Sequence, residues 1–366
     1  MRLALTLGDR NHGRTWPNPS VGAVVVAGRG GEPVIIAQGV TQPGGRPHAE
    51  RVALEDAGSA AEGATLYVTL EPCSARSRPE HGPTCTEAIV QARIRRLVYG
   101  APDPSPFAHG TGVPRLEAAG IEVIPGVLAQ EARRAHRGHF LRVTEGRPLV
   151  SLKLARTADG YAARRDGPRL MISGEVANAR THLLRARHDV VMVGVGTVLA
   201  DDPLLSVRLP GLENRSPVRV VIDTHLRTPP AARLVATARA IPTWIVAGEG
   251  APADSERPLR TAGIDVMRVG TRDGPVDLGE ALRLLGARGV TRVLSEGGPA
   301  LGAALLDADL VDVLAFVTSR RVLGEEGVPA LRTEQARQCD ERFIRLAASG
   351  NRASLPRRRA VTPRLR

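Results

Sequence analysis

Cysteine, lysine and aromatic residues are all scarce in this chain of 366 residues. Its three cysteines are too few for a disulfide framework, and two of them lie in the short stretch EPCSARSRPEHGPTC, residues 71–85. Four Phe, two Trp and three Tyr provide few surfaces on which the bases of a nucleic-acid single strand could stack. These shortages exclude a disulfide-rich scaffold and disfavour nucleic acid as the main partner.

Long apolar runs are also missing. The sequence contains no secretory h-region and no run of about 20 apolar residues that could cross a bilayer. We therefore expect a cytoplasmic protein with reduced thiols and no membrane partner. The net charge of +12 does not change this expectation, because nine Arg against three acidic residues in 334–366 carry half of the excess.

Strands alternate with helices along most of the chain, which predicts α/β domains with largely parallel sheets. A hairpin formed by WPNPSVGAVVVA and PVIIAQGV is predicted near the start. A new strand begins after Arg147 and Pro148, so we place a domain boundary near residue 146. We predict domains at 1–146 and 147–349 and a basic, disordered tail at 350–366, where periodicity is absent.

The first domain carries a motif that indicates bound zinc. His48 stands two residues before Glu50 at the start of a helical pattern, and Cys73 follows the β-rich run ATLYVTL. His, Glu and a later Pro-Cys with a second cysteine are typical of zinc-dependent base deaminases, in which water takes the fourth metal position. We predict His48, Cys73 and Cys85 as the metal ligands and Glu50 as the general acid–base.

Alternative interpretations of these residues stay open. A His-x-Glu triplet alone arises by chance on charged helices, so the motif depends on its context. His81, between the two cysteines, could be a rival ligand or a substrate contact, although a solvated loop histidine is the more ordinary interpretation. Lys153 is the sole lysine, which suggests a site that needs a compact ammonium, with a chance survivor on a strand edge as the alternative.

The sequence resembles a known family in both halves. The segments PNPSVGAVVV, PHAERVAL, ATLYVTLEPCS and AAGIEV resemble the amino-terminal half of the bifunctional riboflavin-biosynthesis deaminase-reductases. The second half of the chain resembles the reductase half of the same family. The match is carried by SLKLARTADG, LLRARHDVVMVGVGTVLADDPLLSVR, VVIDT and SEGGPALGAALLDADLVDVL. The resemblance implies a cytidine-deaminase-like three-layer domain followed by a dihydrofolate-reductase-like domain. It also implies deamination of a diaminohydroxypyrimidine ribosylamine 5′-phosphate, and reduction of its ribosyl group to ribityl by NADPH.

The same resemblance implies site residues. Asn18 matches a substrate-binding residue of the deaminase half, and Lys153 stands where the family has a lysine near the reduced sugar. Positions that match NADPH-binding residues are Ala155, Met171, Thr197, Asp201, Thr224 and Gly298. Positions that match substrate-binding residues of the reductase half are Arg169, Arg185, Leu205, Arg208 and Glu296. The alternatives are a turn residue for Asn18 and a solvated helix face for the arginines.

Two departures from the family pattern bear on function. Eleven residues separate Cys73 from Cys85, more than is usual in the family. In DGPRLMIS, Arg169 stands in place of a Ser and Met171 in place of the Trp beside the nicotinamide. A diverged copy in a specialised flavin-like or deazapurine-like pathway therefore stays open, as does a base deaminase acting on RNA, which the basic tail suggests. For the main interpretation we expect a small phosphorylated pyrimidine as substrate and a homo-oligomeric protein.

Overall fold

The chain divides into two compact units in the computed structural model. The structure describes residues 1–29, 32–76, 82–165, 172, 174–324, 327–332 and 335. The first unit comprises Met1–Leu149, Arg187–Asp189 and Leu282–Arg292, and the second Val150–Ala186, Val190–Ala281 and the chain from Val293. Because two later segments cluster with the first unit, the boundary near residue 146 stays a prediction. The predicted tail, 350–366, lies outside the described residues.

A mixed five-stranded sheet forms the centre of the first unit. Its strands are β1 (Gly22–Arg29), β2 (Glu32–Val40), β3 (Thr65–Leu70), β4 (Arg96–Ala101) and β5 (Glu122–Ile124). Their order is β2-β1-β3-β4-β5, with β1 antiparallel to β2 and β3, and the pairs β3–β4 and β4–β5 parallel. The predicted opening hairpin is therefore confirmed.

Six α-helices accompany this sheet among the described residues up to residue 149. They are α1 (Arg2–Asp9), α2 (Ala49–Ala57), α3 (Cys85–Gln91), α4 (Gly112–Ala118), α5 (Ala129–Ala135) and α6 (Arg137–Glu145). Helix α2 packs directly on β2, because a Cβ at Gly39 would lie 2.1 Å from the carbonyl oxygen of Ala49. Glycine at this position thus lets the first turn of α2, next to His48, approach the sheet closely.

A seven-stranded sheet forms the second unit's centre. The strands after residue 148 are β6 (Leu149–Arg156), β7 (Tyr161–Arg164), β8 (Val190–Gly194), β9 (Val218–Ile222), β10 (Thr243–Gly248), β11 (Asp265–Val269), β12 (Arg292–Ser295), β13 (Val313–Thr318) and β14 (Gly327–Pro329). The large sheet has the order β11-β10-β9-β8-β12-β6-β13, and β7 pairs with β14 separately. The pairs β11–β10, β10–β9, β9–β8, β8–β12 and β6–β13 are parallel, as the alternating pattern predicts.

Helices connect most of these strands. They are α7 (Glu175–Ala186), α8 (Val195–Asp201), α9 (Arg233–Ala236), α10 (Ala253–Thr261), α11 (Leu278–Ala287) and α12 (Pro299–Asp307). The strands are rich in Val and nearly continuously buried, as expected of a parallel sheet with both faces covered. None of the helices in the described parts of the chain combines the length and the apolar character needed to span a bilayer.

A fully buried arginine, Arg219 on β9, connects three segments of the second unit. Its Nη1 donates to the carbonyl oxygen of Leu204 at 3.2 Å and to Oγ1 of Thr237 at 2.8 Å. Its Nη2 donates to the carbonyl oxygens of Leu234 and Ile241 at 2.9 and 2.7 Å. Burial lowers the pKa of Arg219 to about 10, so the guanidinium keeps its charge at neutral pH.

Replacing Arg219 by Met is expected to destabilise the second unit. Several buried oxygens would lose their donors, and each unsatisfied group costs about 1–3 kcal/mol, so the free energy of unfolding should fall by at least that amount. Denaturant unfolding of Arg219→Met measures this. Arg257→Met removes an exposed arginine from α10 and should leave the unfolding curve unchanged. Equal stability of the two variants would contradict a structural role for the buried guanidinium.

Candidate active sites

The three predicted metal ligands converge in the first unit. His48 caps the amino terminus of α2, Cys73 follows β3, and Cys85 is the first residue of α3. One ligand atom from each residue lies within 4.8 Å of those of the other two. The Nδ1 atom of His48 is 3.6 Å from Sγ of Cys73 and 3.3 Å from Sγ of Cys85. No other group of this kind, with three or more His, Cys, Asp or Glu, occurs among the described residues.

The start of α3 holds the two cysteines together although the loop between them is long. Thr84 and Glu87 form a capping box. The backbone N–H of Glu87 donates to the Thr84 hydroxyl at 3.1 Å, and the backbone N–H of Thr84 donates to the Glu87 carboxylate at 2.8 Å. Thr86 donates through its backbone N–H and its hydroxyl to the carbonyl oxygen of Cys73. The backbone N–H of Cys85 donates to Sγ of Cys73 at 3.4 Å. These bonds at the start of α3 therefore fix the position of Cys85 relative to Cys73.

The segment of Cys73 is also fixed from its other side by Glu71. This carboxylate is buried, and it accepts hydrogen bonds from the backbone N–H groups of Asp103 at 3.2 Å and Gly110 at 3.0 Å. The loop at residues 103–110 also contacts the segment of Cys73, because the carbonyl oxygen of Phe107 accepts a hydrogen bond from the backbone N–H of Ser74 at 2.8 Å. Glu71 is a positioning residue that the sequence analysis missed, although its place directly after a strand and before Pro-Cys could have indicated it.

The donor set fits a zinc ion. Hydrogen bonding from Cys85 lowers the pKa of the Cys73 thiol to about 4, so Cys73 supplies a thiolate, the form in which sulfur binds zinc. The same hydrogen bond, together with burial, raises the pKa of Cys85. Nε2 of His48 and Oε2 of Glu50 are both buried and lack hydrogen-bond partners within the described part of the chain. One imidazole and two thiols form one of the three-ligand sets that hold a catalytic zinc with an open fourth position.

Glu50 lies beside this cluster, in the first turn of α2, and is 3% exposed. Burial raises the pKa of its carboxyl group to about 7, with the nearby Cys73 also raising it and His48 lowering it. A carboxylate buried next to a thiolate is costly unless a cation shares the site. The arrangement of Glu50 and Cys73 therefore favours a cation at the position that the three ligands define.

Replacing one ligand should remove the metal. We expect Cys85→Ser to lose most of the zinc that the wild-type protein holds, because a neutral hydroxyl replaces the thiolate. Elemental analysis of purified protein measures the content, and Cys339→Ser, which changes the remaining cysteine, is the matched control. Unchanged zinc in Cys85→Ser would contradict the assignment. Zinc lost in His81→Ala instead would identify the rival ligand, which lies outside the described residues.

Asn18 lies in the connection between α1 and β1. Its Nδ2 donates to the carbonyl oxygen of Gly45 at 2.9 Å, and its own carbonyl oxygen accepts from the hydroxyl of Thr15 at 3.0 Å. These bonds join the turn at residues 15–18 to the segment that leads to His48. They give Asn18 a structural role in the loop, and its role in substrate binding stays a prediction.

In the second unit the structure brings together three predicted residues, Lys153, Arg185 and Glu296. Arg185 forms a two-pronged ion pair with Glu296, at 2.6 Å from Nε and 2.8 Å from Nη2, and its Nη1 donates to the carbonyl oxygen of Ser206 at 2.9 Å. Lys153 lies on β6, where burial lowers its pKa, Glu296 raises it and Arg185 lowers it. The sole lysine of the chain therefore lies within electrostatic reach of this ion pair.

The predicted cofactor residues lie on separate elements of the second unit. Gly298, the N-cap of α12, donates its N–H to the hydroxyl of Thr197 on α8 at 3.3 Å. A side chain at Gly196 would meet nothing within 4 Å, so the backbone there is open to close approach by a ligand. Thr224, which follows β9, accepts a hydrogen bond from the N–H of Val276 at 3.2 Å. Among these positions, a hydrogen bond joins Gly298 directly to Thr197.

The remaining predicted positions are placed less directly. Ala155 lies two residues after Lys153 on β6, and Asp201 is the last residue of α8. Leu205 is buried with a positive φ of 55° in the loop that follows α8. Arg208, in the same loop, donates from Nη1 to the hydroxyl of Ser206 at 3.3 Å. Arg169 and Met171 lie outside the described residues, so their roles stay predictions.

Comparison with known proteins gives matches to both units. Residues 1–101 match the family described as the cytidine and deoxycytidylate deaminase zinc-binding region. Residues 148–354 match the RibD C-terminal domain. The chain is 37% identical over 325 residues to the riboflavin biosynthesis protein RibD of Aquifex aeolicus, covering 89% of this chain and 87% of the relative. The corresponding protein of Escherichia coli is 36% identical over 337 residues, with 89% and 88% covered.

Solved structures give the same result. Acinetobacter baumannii RibD superposes with a TM-score of 0.80 at 31% identity, covering 91% of this chain and 89% of that structure. A diaminohydroxyphosphoribosylaminopyrimidine deaminase/5-amino-6-(5-phosphoribosylamino)uracil reductase of Thermotoga maritima superposes with a TM-score of 0.76 at 34% identity, covering 90% and 88%. Both likenesses extend over the two units of the chain.

Proposed function

The chain belongs to the RibD family of riboflavin-biosynthesis deaminase-reductases, and we propose that the residues described above perform both reactions of this family on one pyrimidine nucleotide. The predicted fold, a cytidine-deaminase-like domain followed by a dihydrofolate-reductase-like domain, is confirmed by the same comparisons. The substrate we propose is a diaminohydroxypyrimidine ribosylamine 5′-phosphate. One observation carries the proposal for this chain, which is the convergence of His48, Cys73 and Cys85 beside a buried Glu50.

The first unit would hydrolyse the amino group of the pyrimidine. Zinc, held by His48, Cys73 and Cys85, would supply the chemistry of lowering the pKa of a water molecule toward neutrality. Glu50 would accept one proton from the attacking water and pass it to the ring nitrogen, and would then move the second proton of that oxygen to the amino group, which departs as ammonia. Its buried, unpartnered Oε2 supports this role, because that oxygen is available to a proton from a reacting molecule.

The second unit would reduce the ribosyl group of the deaminated product, with NADPH as the hydride donor. The ammonium of Lys153 would hold the sugar hydroxyls, so that the carbon to be reduced meets the nicotinamide in a fixed orientation. The ion pair of Arg185 and Glu296 supports the placement of a polar substrate here, since it presents a pre-organised charged surface next to Lys153. Gly298 and Thr197 are the proposed contacts of the NADPH phosphates.

The comparisons favour this function over the two alternatives. Identity of 36–38% to several RibD proteins extends over most of the chain, so both units keep the pattern of the family. An RNA base deaminase would have no use for the second unit. Cytoplasmic localisation and a homo-oligomeric state are further parts of the proposal.

Ammonia release distinguishes these functions. We expect the purified protein to release ammonia from the diaminohydroxypyrimidine ribosylamine 5′-phosphate and not from tRNA. A chelator should stop the release, and added zinc should restore it. Release from tRNA without release from the free nucleotide would overturn the proposal, and so would full activity after complete removal of the metal.

A further inference from the structure

His139 lies on α6 and is absent from the residues that the sequence predicts for the deaminase site. Its Nε2 is 2.8 Å from Oδ1 of Asp103, and both residues are buried. Because a carboxylate oxygen accepts hydrogen bonds, the imidazole donates to Asp103 through Nε2. Nδ1 of His139 is buried and has no hydrogen-bond partner within the described part of the chain. Within that part, the polar contact of this imidazole is therefore the one to Asp103.

Asp103 begins the loop of residues 103–111, and its hydrogen bonds fix the start of this loop. Its Oδ1 also accepts from the backbone N–H of Ser105 at 2.9 Å, and its own N–H donates to the carboxylate of Glu71 at 3.2 Å. Glu71 stands two residues before the predicted metal ligand Cys73. From α6, His139 therefore holds a residue that is bonded directly to the segment of Cys73.

The rest of the loop contacts the same segment. The carbonyl oxygen of Phe107 accepts from the backbone N–H groups of Ser74 and Ala75 at 2.8 and 3.0 Å. Arg115, on the helix α4 that follows the loop, donates from Nη1 to the carbonyl oxygen of Ser74 at 3.1 Å. Because closely packed interiors transmit strain, a shift of this loop would displace the backbone next to Cys73.

Helix α6 is a fixed support for His139. Nη2 of Arg292, which belongs to the first unit, donates to the carbonyl oxygen of Ala135 at 2.7 Å, just before the helix begins. A Cβ at Gly138 would lie 2.5 Å from the carbonyl oxygen of Thr291, so α6 packs directly on the backbone of that segment. The position of His139 is therefore set by the packing of α6.

We propose that His139 is a positioning residue of the zinc site, which holds the loop of residues 103–111 through Asp103 and thereby keeps Cys73 in its ligating position. This inference deepens the proposed function and rests on it, because it takes Cys73 as a ligand of bound zinc. Partners that orient metal ligands typically change metal affinity or activity by about 10- to 100-fold when they are replaced. Because His139 acts through Asp103, we expect the lower end of that range.

His139→Met and His139→Gln form a matched pair for the test. The two new side chains have nearly the same length and shape, but only the amide of Gln places a nitrogen donor near the position of Nε2. We expect His139→Met to raise the Kd for zinc about tenfold, measured by competition with a chromophoric chelator. His139→Gln should stay close to the wild-type Kd, because the donor to Asp103 is restored.

Two controls separate this effect from a general loss of stability. His109→Met replaces an exposed histidine of the same loop and should bind zinc with the wild-type Kd. Thermal unfolding of each variant defines a temperature at which all of them are folded, and the Kd is measured there. If His139→Met fails to fold, His139→Asn carries the test, because its shorter amide does not reach Asp103.

A weaker affinity for zinc in His139→Met that His139→Gln restores supports the inference. A wild-type Kd in His139→Met would overturn it, and so would an equal loss in both variants, which would show that the packing of the ring matters and its hydrogen bond does not. If the wild-type protein itself binds no zinc, the metal site assigned under the proposed function is wrong as well.

Discussion

Replacement of Glu50 by Gln is expected to lower the rate of deamination by a factor of at least about 10² while the protein keeps its zinc. The amide has the shape of the carboxylate but cannot accept the proton of the attacking water. Glu50 is not among the three ligand side chains, so the metal should stay bound. Ammonia release from the diaminohydroxypyrimidine nucleotide and elemental analysis of the same sample measure the two effects.

Two controls accompany this variant. Glu55→Gln changes a carboxylate on the same helix that is exposed and paired with Arg51 at 3.1 Å, and it should deaminate at the wild-type rate. Reduction of the already deaminated nucleotide by Glu50→Gln should also be unaffected, because Lys153, Arg185 and Glu296 belong to the other unit. Wild-type ammonia release by Glu50→Gln would show that another group moves the protons.

Replacement of Lys153 by Arg is expected to lower the turnover of the reduction by about 10², the scale of a small misplacement of reacting groups. The charge is preserved, but the planar guanidinium is larger than the ammonium and has a different hydrogen-bond geometry. Within the half-buried position beside Glu296 and Arg185, it should shift the sugar relative to the nicotinamide. Affinity for NADPH, measured by titration of its fluorescence, should change far less.

The deaminase reaction is the internal control for Lys153→Arg. Ammonia release should stay at the wild-type rate, since His48, Glu50 and the two cysteines are unchanged and belong to the first unit. Together with Glu50→Gln, this variant gives a reciprocal pair in which each substitution slows one reaction and spares the other. If Lys153→Arg reduced the nucleotide at the wild-type rate, Lys153 would be an ordinary strand residue.

The deaminase centre could be predicted from the sequence because its residues stand in two short motifs at the ends of regular elements. His48 and Glu50 begin a helix, Cys73 follows a strand, and Cys85 begins the next helix. Element ends can be recognised from hydrophobic periodicity and capping residues. The motifs therefore indicated all four side chains before any distance was known.

The reductase residues could not be derived in this way. Arg185 and Glu296 are far apart in the chain, on α7 and directly after β12, and only the order of strands in the sheet brings them together. Their assignment as site residues depended on the resemblance to the family. Sequence spacing also did not show that Arg185 would be engaged by Glu296, which leaves Arg208 as the more available guanidinium.

Residues whose partners are backbone atoms were missed altogether. Arg219 donates to three carbonyl oxygens, and Glu71 accepts from two backbone N–H groups. Backbone groups are the same at every position, so no pattern of side chains reveals such partners.

Mass spectrometry of the products formed from the diaminohydroxypyrimidine ribosylamine 5′-phosphate, with and without NADPH, tests most directly that one chain performs both reactions. Without NADPH, the account predicts a single product in which one amino group is replaced by oxygen. With NADPH, it predicts a second product that has gained two hydrogens in the sugar-derived chain. A substrate that returns unchanged under both conditions, or a deaminated product that NADPH leaves unaltered, would contradict the account.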